Sequence, residues 1–215
     1  GIDYSAGSSN SKITIDNGSV LTSAGIAGPT NEFGTIVLQN CDNVDINISN
    51  ATIDVQAASG EPATPHSAIM YSLYADQQNG LAKNNTITFG EGSKVTTNNE
   101  NASLSDDNGQ TNTINAENGT FAIAGPLFRG DQNLGTKLNV TGGKWNKDVT
   151  PYIPADYSAT NTDDGTDTPI VVTKKSDEKP TNPDTPDTPD KPDTPDTPDT
   201  PATPGTTTPD TPGHE

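Results

Sequence analysis

The sequence predicts an all-β chain: a solenoid of about five short coils, followed by a non-globular tail. Three observations lead there. A strand–corner–strand motif recurs five times in register between residues 12 and 145. Only 28% of the residues are apolar and 5% aromatic, too few for a thick two-layer core but enough for a narrow, stacked one. Composition then breaks near residue 162, with 12 of the 18 prolines falling between Pro169 and Pro212.

The five copies are KITIDNGSV (12–20), DINISNATI (45–53), TITFGEGSKV (86–95), TINAENGTF (113–121) and KLNVTGGKW (137–145). In the first strand the flanking positions are apolar: Ile13/Ile15, Ile46/Ile48, Ile87/Phe89, Ile114/Ala116 and Leu138/Val140. Between them stand Thr14, Asn47, Thr88, Asn115 and Asn139, always polar. This period-two alternation predicts a strand with one buried face. A corner follows at Asn17-Gly18, Asn50-Ala51, Gly92-Ser93, Asn118-Gly119 and Gly142-Gly143, residue types that accept positive φ. Each copy closes on one large apolar residue: Val20, Ile53, Val95, Phe121 or Trp145. The third copy carries one extra residue, which a bulge absorbs.

Corner-to-corner spacings of 33, 42, 26 and 24 residues describe a constant motif with inserts of variable length. Short apolar runs between copies, TIVL (35–38), AIMYSLY (68–74) and PLF (126–128), supply the remaining strand of each coil. The competing architecture is a β-sandwich whose Asn-Gly pairs are hairpin turns. At the end of the fifth copy, Pro151 and Pro154 interrupt strand pairing, and Tyr152, Ile153 and Tyr157 are expected to fold over the open end. The expected divisions are a repeat domain with its cap over 1–160, an acidic linker over 161–179, and a Pro/Thr/Asp stalk over 180–215.

From Asp184 the stalk runs DTPDTPDKPDTPDTPDTPATP. Its three-residue period matches the three residues per turn of polyproline II, so Pro, Asp and Thr form stripes along an extended rod. At roughly 3.1 Å per residue, such a segment reaches about 100 Å. Acids exceed bases on both sides of the break, 16 to 7 in 1–162 and 13 to 4 in 163–215. That balance speaks against nucleic acid and anionic membrane surfaces, both of which demand Lys/Arg patches. No apolar run has spanning length, so membrane insertion is not expected. No signal peptide is visible, and the opening Gly1 suggests a fragment or processed product of a larger protein.

The stretch VTGGKWNKDVTPYIPADYSAT (140–160) resembles the closing segment of right-handed parallel β-helix surface proteins of Gram-positive gut bacteria. There a G-G-x-aromatic strand leads into a short acidic turn, D-V-x-x-Y. Here the aromatic is Trp145 rather than the more usual Phe, and Pro154 is unusual. The likeness covers about 12–175. The tail is similar to the wall-spanning Pro-rich segments of such proteins, although the sorting motif LPxTG does not occur in this sequence. The resemblance implies a right-handed parallel β-helix at a bacterial cell surface, and an adhesin-like role rather than a particular reaction.

Candidate sites are few. Tyr71 and Tyr74, in the longest insert, could contact a ligand, or they could be core residues of their strand. Arg129-Gly130-Asp131 spells a tripeptide that some animal integrins read on an exposed turn. The β-helix fold also hosts pectate lyases and polygalacturonases, which need carboxylates on neighbouring coils. In the inferred register Asp45 stacks with Lys12, Thr86, Thr113 and Lys137, and Asp54 with Leu21, Thr96, Ala122 and Asn146. Neither column offers a second acid. The outward row Ser19, Thr52, Lys94, Thr120 and Lys144 is broken by lysines, which argues against a flat threonine surface of the ice-binding kind.

His66 and His214 are expected in a loop and at the tail's end, solvated, and Cys41 as a half-buried strand thiol with no disulfide partner. NTDDGTD (161–167) fails the calcium-loop spacing, so no metal or cofactor is expected. Together these readings point to a non-enzymatic extracellular module, adhesive or glycan-binding. It would be displayed on a stalk, monomeric within a larger surface protein, and partnered by a host or environmental glycan or protein. A carbohydrate-active enzyme and a purely structural spacer are the alternatives.

Overall fold

The computed structural model describes residues 2–4, 10–24, 33–39, 41–58, 66–72, 82–107, 111–129 and 136–176, together with Gly205. The chain divides into two units, 1–177 and 178–215. The expected stalk therefore lies outside the described residues apart from Gly205.

Unit 1 is built from strands, in successive groups of three. These are β1 (Ile2–Tyr4), β2 (Lys12–Ile15) and β3 (Val20–Ala24), then β4 (Phe33–Gln39), β5 (Asp45–Ile48) and β6 (Thr52–Gln56). Next come β7 (His66–Ser72), β8 (Thr86–Phe89) and β9 (Lys94–Thr97), followed by β10 (Ala102–Asp107), β11 (Thr113–Ala116) and β12 (Thr120–Ala122). The last group is β13 (Phe128–Arg129), β14 (Lys137–Val140) and β15 (Lys144–Trp145). Each group places one strand in each of three sheets. The first sheet is β1-β4-β7-β10-β13, the second β2-β5-β8-β11-β14, and the third contains β3-β6-β9-β12-β15. Every neighbouring pair among these strands is parallel. Antiparallel Asn-Gly hairpins, as a sandwich would need, do not join the motif's strands.

Within the second sheet the register follows the expected one at every position, with Lys12, Asp45, Thr86, Thr113 and Lys137 in one column. The apolar flanks form the core: Ile46, Ile48, Ile87, Phe89, Ile114 and Ala116 are buried, and the polar row between them is not. In the third sheet the first copy departs by one residue. Leu21, not Val20, stands in the column of Ile53, Val95, Phe121 and Trp145. Thr22 rather than Leu21 therefore pairs with Asp54, and Val20 rather than Ser19 with Thr52. The first copy, like the third, has a four-residue corner. Positive φ at both Asn17 (56°) and Gly18 (79°) takes up its extra residue. Because both Val20 and Leu21 are apolar, hydrophobicity does not distinguish them.

Connections from the first sheet to the second end in one repeated backbone conformation. Asn10, Asn43, Asn84 and Thr111 all adopt left-handed φ, between 55° and 57°. The residue after each begins a column of Ser11, Val44, Asn85 and Asn112. Here a buried asparagine ladder forms. Asn85 Oδ1 accepts from Val44 N (2.9 Å), while Asn85 Nδ2 donates to Cys41 O and to Asn112 Oδ1, each at 3.0 Å. Asn112 Nδ2 donates in turn to Ala82 O at 2.9 Å. Cys41 is fully buried beside this ladder, outside any strand, and its Sγ lies 3.9 Å from Asn85 Oδ1.

At the C-terminal end a 3₁₀ turn (Thr150–Tyr152) follows β15, and Tyr152, Ile153 and Tyr157 pack against the core. Trp145 stacks on Phe121 with centroids 3.9 Å apart, and Phe121 meets Phe89 edge-on at 5.4 Å. Two further strands complete the end: β16 (Tyr157–Asn161) and β17 (Ile170–Lys174) form an antiparallel hairpin. β17 also pairs antiparallel with β15, closing that edge of the third sheet. The segment read from sequence as an acidic linker, 161–179, thus holds the second strand of this hairpin. Its short apolar run, Ile170-Val171-Val172, is enough to pair because β15 offers a ready edge.

Candidate functional face

Connections between the second and third sheets stay at three or four residues: 16–19, 49–51, 90–93, 117–119 and 141–143. Those bordering the first sheet vary far more, as in 25–32, 57–65 and 98–101 on one side and 40–44, 73–85 and 108–112 on the other. A tight corner keeps its length because each copy stacks on the next. Gly142 shows the constraint: a Cβ there would collide with the Glu117 carbonyl of the copy before. Length variation is thereby confined to the margins of the first sheet, as binding loops are on other scaffolds.

The first sheet also departs from simple alternation. Thr35 and Ile36 are both buried, as are Ala68 and Ile69, and Leu104 and Ser105. Two successive inward residues shift the parity of everything after them. Tyr71 accordingly falls in the core at 0% exposure, so it presents no contact surface to a ligand. His66, expected in a solvated loop, is a strand residue at 2% exposure, in register with Phe33 and Ala102.

Around these positions several polar side chains are buried: His66, Ser67, Ser103, Ser105 and Asp106. Ser67 Oγ and Ser103 Oγ bond at 2.8 Å, tying β7 to β10. Asp106 stands in register with Arg129 on the adjacent strand and with Met70 on the other side. Arg129 Nη2 donates to Glu100 O at 2.8 Å, anchoring the guanidinium across the connection that enters β10. Of this pair only half-buried Arg129 reaches solvent, since Asp106, at 2% exposure, is almost as enclosed as Tyr71. Tyr74, Gly130 and Asp131, the other expected contact residues, lie outside the described residues, as does His214. Asp106 shares its row with half-buried Met70 and Arg129, so strand alternation does not account for its burial at 2%.

Among the described residues, no three His, Cys, Asp or Glu side chains converge as a metal site requires. Asp54 has Thr96 as its stacked neighbour, whose Oγ1 donates to its Oδ1 at 2.8 Å. NTDDGTD forms the hairpin turn between β16 and β17. Asn161 Oδ1 accepts from Asp163 N (3.0 Å), and Asp164 Oδ1 from Thr166 Oγ1 (2.6 Å) and Thr166 N (3.0 Å). The Thr166 hydroxyl, and then its N–H, hold the Asp164 carboxyl below the usual carboxylate value. The described residues contain no helix long and apolar enough to cross a membrane.

No protein-family model, curated protein or solved structure matches this chain.

Proposed function

We propose that this chain is a right-handed parallel β-helix module of an extracellular bacterial surface protein, non-enzymatic, which presents the face built on its first sheet to a glycan or protein. One observation carries the reading: variable connections are gathered along both margins of the first sheet, while the opposite corner is held short. In stacked-repeat proteins such inserts mark the binding side, because they can change without disturbing the stack. The Pro/Thr/Asp segment after residue 180 then serves as the extended stalk that holds the module away from the cell wall.

A second reading, a carbohydrate-active enzyme, is favoured by one juxtaposition. Asp106 and Arg129 are register partners, and polysaccharide-degrading sites combine a carboxylate with a basic group.

The test is a binding screen of the purified chain against a glycan array and mucin, with polygalacturonate turnover followed in parallel in the presence of calcium. Binding without turnover, weakened at least tenfold by Arg129→Gln and unchanged by Lys137→Gln on the second sheet, is the expected result. Turnover would replace this reading with the enzymatic one. Equal sensitivity to both substitutions would remove the first sheet as the binding face.

A further inference from the structure

In the fourth tight corner, 117–119, one backbone N–H is left over. Phe89 O accepts from both Glu117 N (3.0 Å) and Asn118 N (3.2 Å). In the next copy Ala116 O likewise accepts from Thr141 N (2.9 Å) and Gly142 N (3.1 Å). The third N–H of each corner, that of Gly119 and that of Gly143, finds no acceptor among the described residues. Gly119 is buried, and a buried backbone donor is rarely left in this state.

In the fifth copy the residue before that donor is Gly142; in the fourth it is Asn118, whose amide is exposed. An asparagine side chain can close a five-membered ring on the nitrogen that follows it, and a glycine there puts no Cβ in the way. Sequence does not single this pair out, since Asn17-Gly18 repeats it in the first copy. There, however, Gly18 N donates to Asn50 O at 2.7 Å, and Asn17 Nδ2 to Asp16 Oδ1 at 2.9 Å. Both reacting groups are tied at Asn17. Among the described residues neither is tied at Asn118. Asn79-Gly80 and Asn108-Gly109 lie outside the described residues.

We propose that Asn118 is a site of spontaneous deamidation in the folded chain, and that its β-linked product loosens the seam between the fourth and fifth copies. Gly119 N loses its proton and bonds to Asn118 Cγ. The Cγ–Nδ2 bond breaks, and the nitrogen leaves as ammonia with that proton. Water then opens the cyclic imide at either carbonyl, giving aspartate or isoaspartate, and nothing is oxidised or reduced. In isoaspartate the Cβ joins the main chain, so the corner gains one backbone atom. It has no room for one. A Cβ on Gly142 would already collide with the Glu117 carbonyl, and one on Gly143 would lie 3.0 Å from Gly119 O. Gly119 O also holds Lys144 N at 2.8 Å, a bond that joins the fifth copy to the fourth.

Ageing of the full chain tests it, at mildly alkaline pH and well below the melting temperature, with a parallel sample in urea. Mass spectrometry of proteolytic peptides, with fragmentation that separates aspartate from isoaspartate, follows each site. In the folded chain Asn118 should convert about tenfold faster than Asn17, which must first break two hydrogen bonds. In urea the two rates should converge. The melting temperature should fall as isoaspartate accumulates at 118, and Asn118→Gln, which closes that ring far less readily, should age without the fall. Equal rates at the two sites in the folded chain overturn the proposal, as does a ratio that urea leaves unchanged. An Asn118→Gln chain that loses stability as fast as the wild type overturns the loosening of the seam.

Discussion

Replacing Asn85 by Ala tests what holds the corner of the third circuit. Its amide serves Val44 N, Cys41 O and Asn112 Oδ1 at once, all away from water. Truncation strands the Val44 N–H, while the Cys41 carbonyl keeps the Lys83 N–H and Asn112 Oδ1 the Asn85 N–H, each at 3.1 Å. For that one buried group left without a partner the loss is about 1–3 kcal/mol. In a domain of this size that lowers Tm by roughly 2–12 °C. Asn47→Ala, in the half-exposed outer row, should stay within about 0.5 kcal/mol. Asn85→Asp separates shape from chemistry. It keeps the acceptor for Val44 but turns an oxygen toward the two oxygens that Nδ2 now bonds. Burial raises the pKa of such a carboxyl, so the variant's deficit should grow as pH rises from about 4 toward that raised value, and ease in acid, where the neutral form can donate. Urea denaturation of the three variants decides the matter. An Asn85→Ala loss no larger than that of Asn47→Ala would show that the ladder is not what holds this corner.

The other outcomes are read by melting, fluorescence and titration. Gly142→Ala should destabilise by about 2–4 kcal/mol, because its methyl meets backbone. Gly18→Ala, with open space around it and only a left-handed φ of 79° to resist it, should cost about 1 kcal/mol by thermal melting. Trp145→Ala removes the stacked partner of Phe121 at the core's end and should cost about 3–5 kcal/mol. Because Trp145 is the chain's single tryptophan, its emission in the wild type should shift to the red only when the fifth circuit opens. Asp148 and Asp164 both have carboxyls held below the usual value, chiefly by the side chains of Thr150 and Thr166. Their contribution is therefore complete above the unfolded carboxylate value and lost as pH falls through the lower folded one. Asp164→Asn should flatten the acid limb of the melting curve, with NMR titration of Asp164 reporting the shift directly.

Much of the second sheet was legible in the sequence, for a physical reason. Where a strand alternates strictly and its neighbour lies at constant register, Thr14, Asn47, Thr88, Asn115 and Asn139 can be aligned without knowing the fold. Legibility failed where one residue type serves two purposes. Val20 and Leu21 are equally apolar, so the first copy slipped by one. Asn10, Asn43 and Asn84 mark a left-handed corner, but asparagine is too frequent in this chain for that column to stand out. The β16–β17 hairpin went unseen because it is not part of the repeat and its turn is acidic. For the candidate face, the break in alternation at Ala68-Ile69 decided the outcome. Tyr71 lies in the core after it, and no periodic pattern announces such a break.

The closing hairpin also determines how the stack would answer to pulling. Tension arriving from residues beyond 176 enters the circuits through β17, whose five residues pair with β16 and two of them with β15. A strand gripped on both sides must break several bonds together when drawn along its length, rather than one after another. The tryptophan circuit beneath would stay sealed until that grip fails. Under such a load the hairpin would have to part from β15 before the fifth circuit could open.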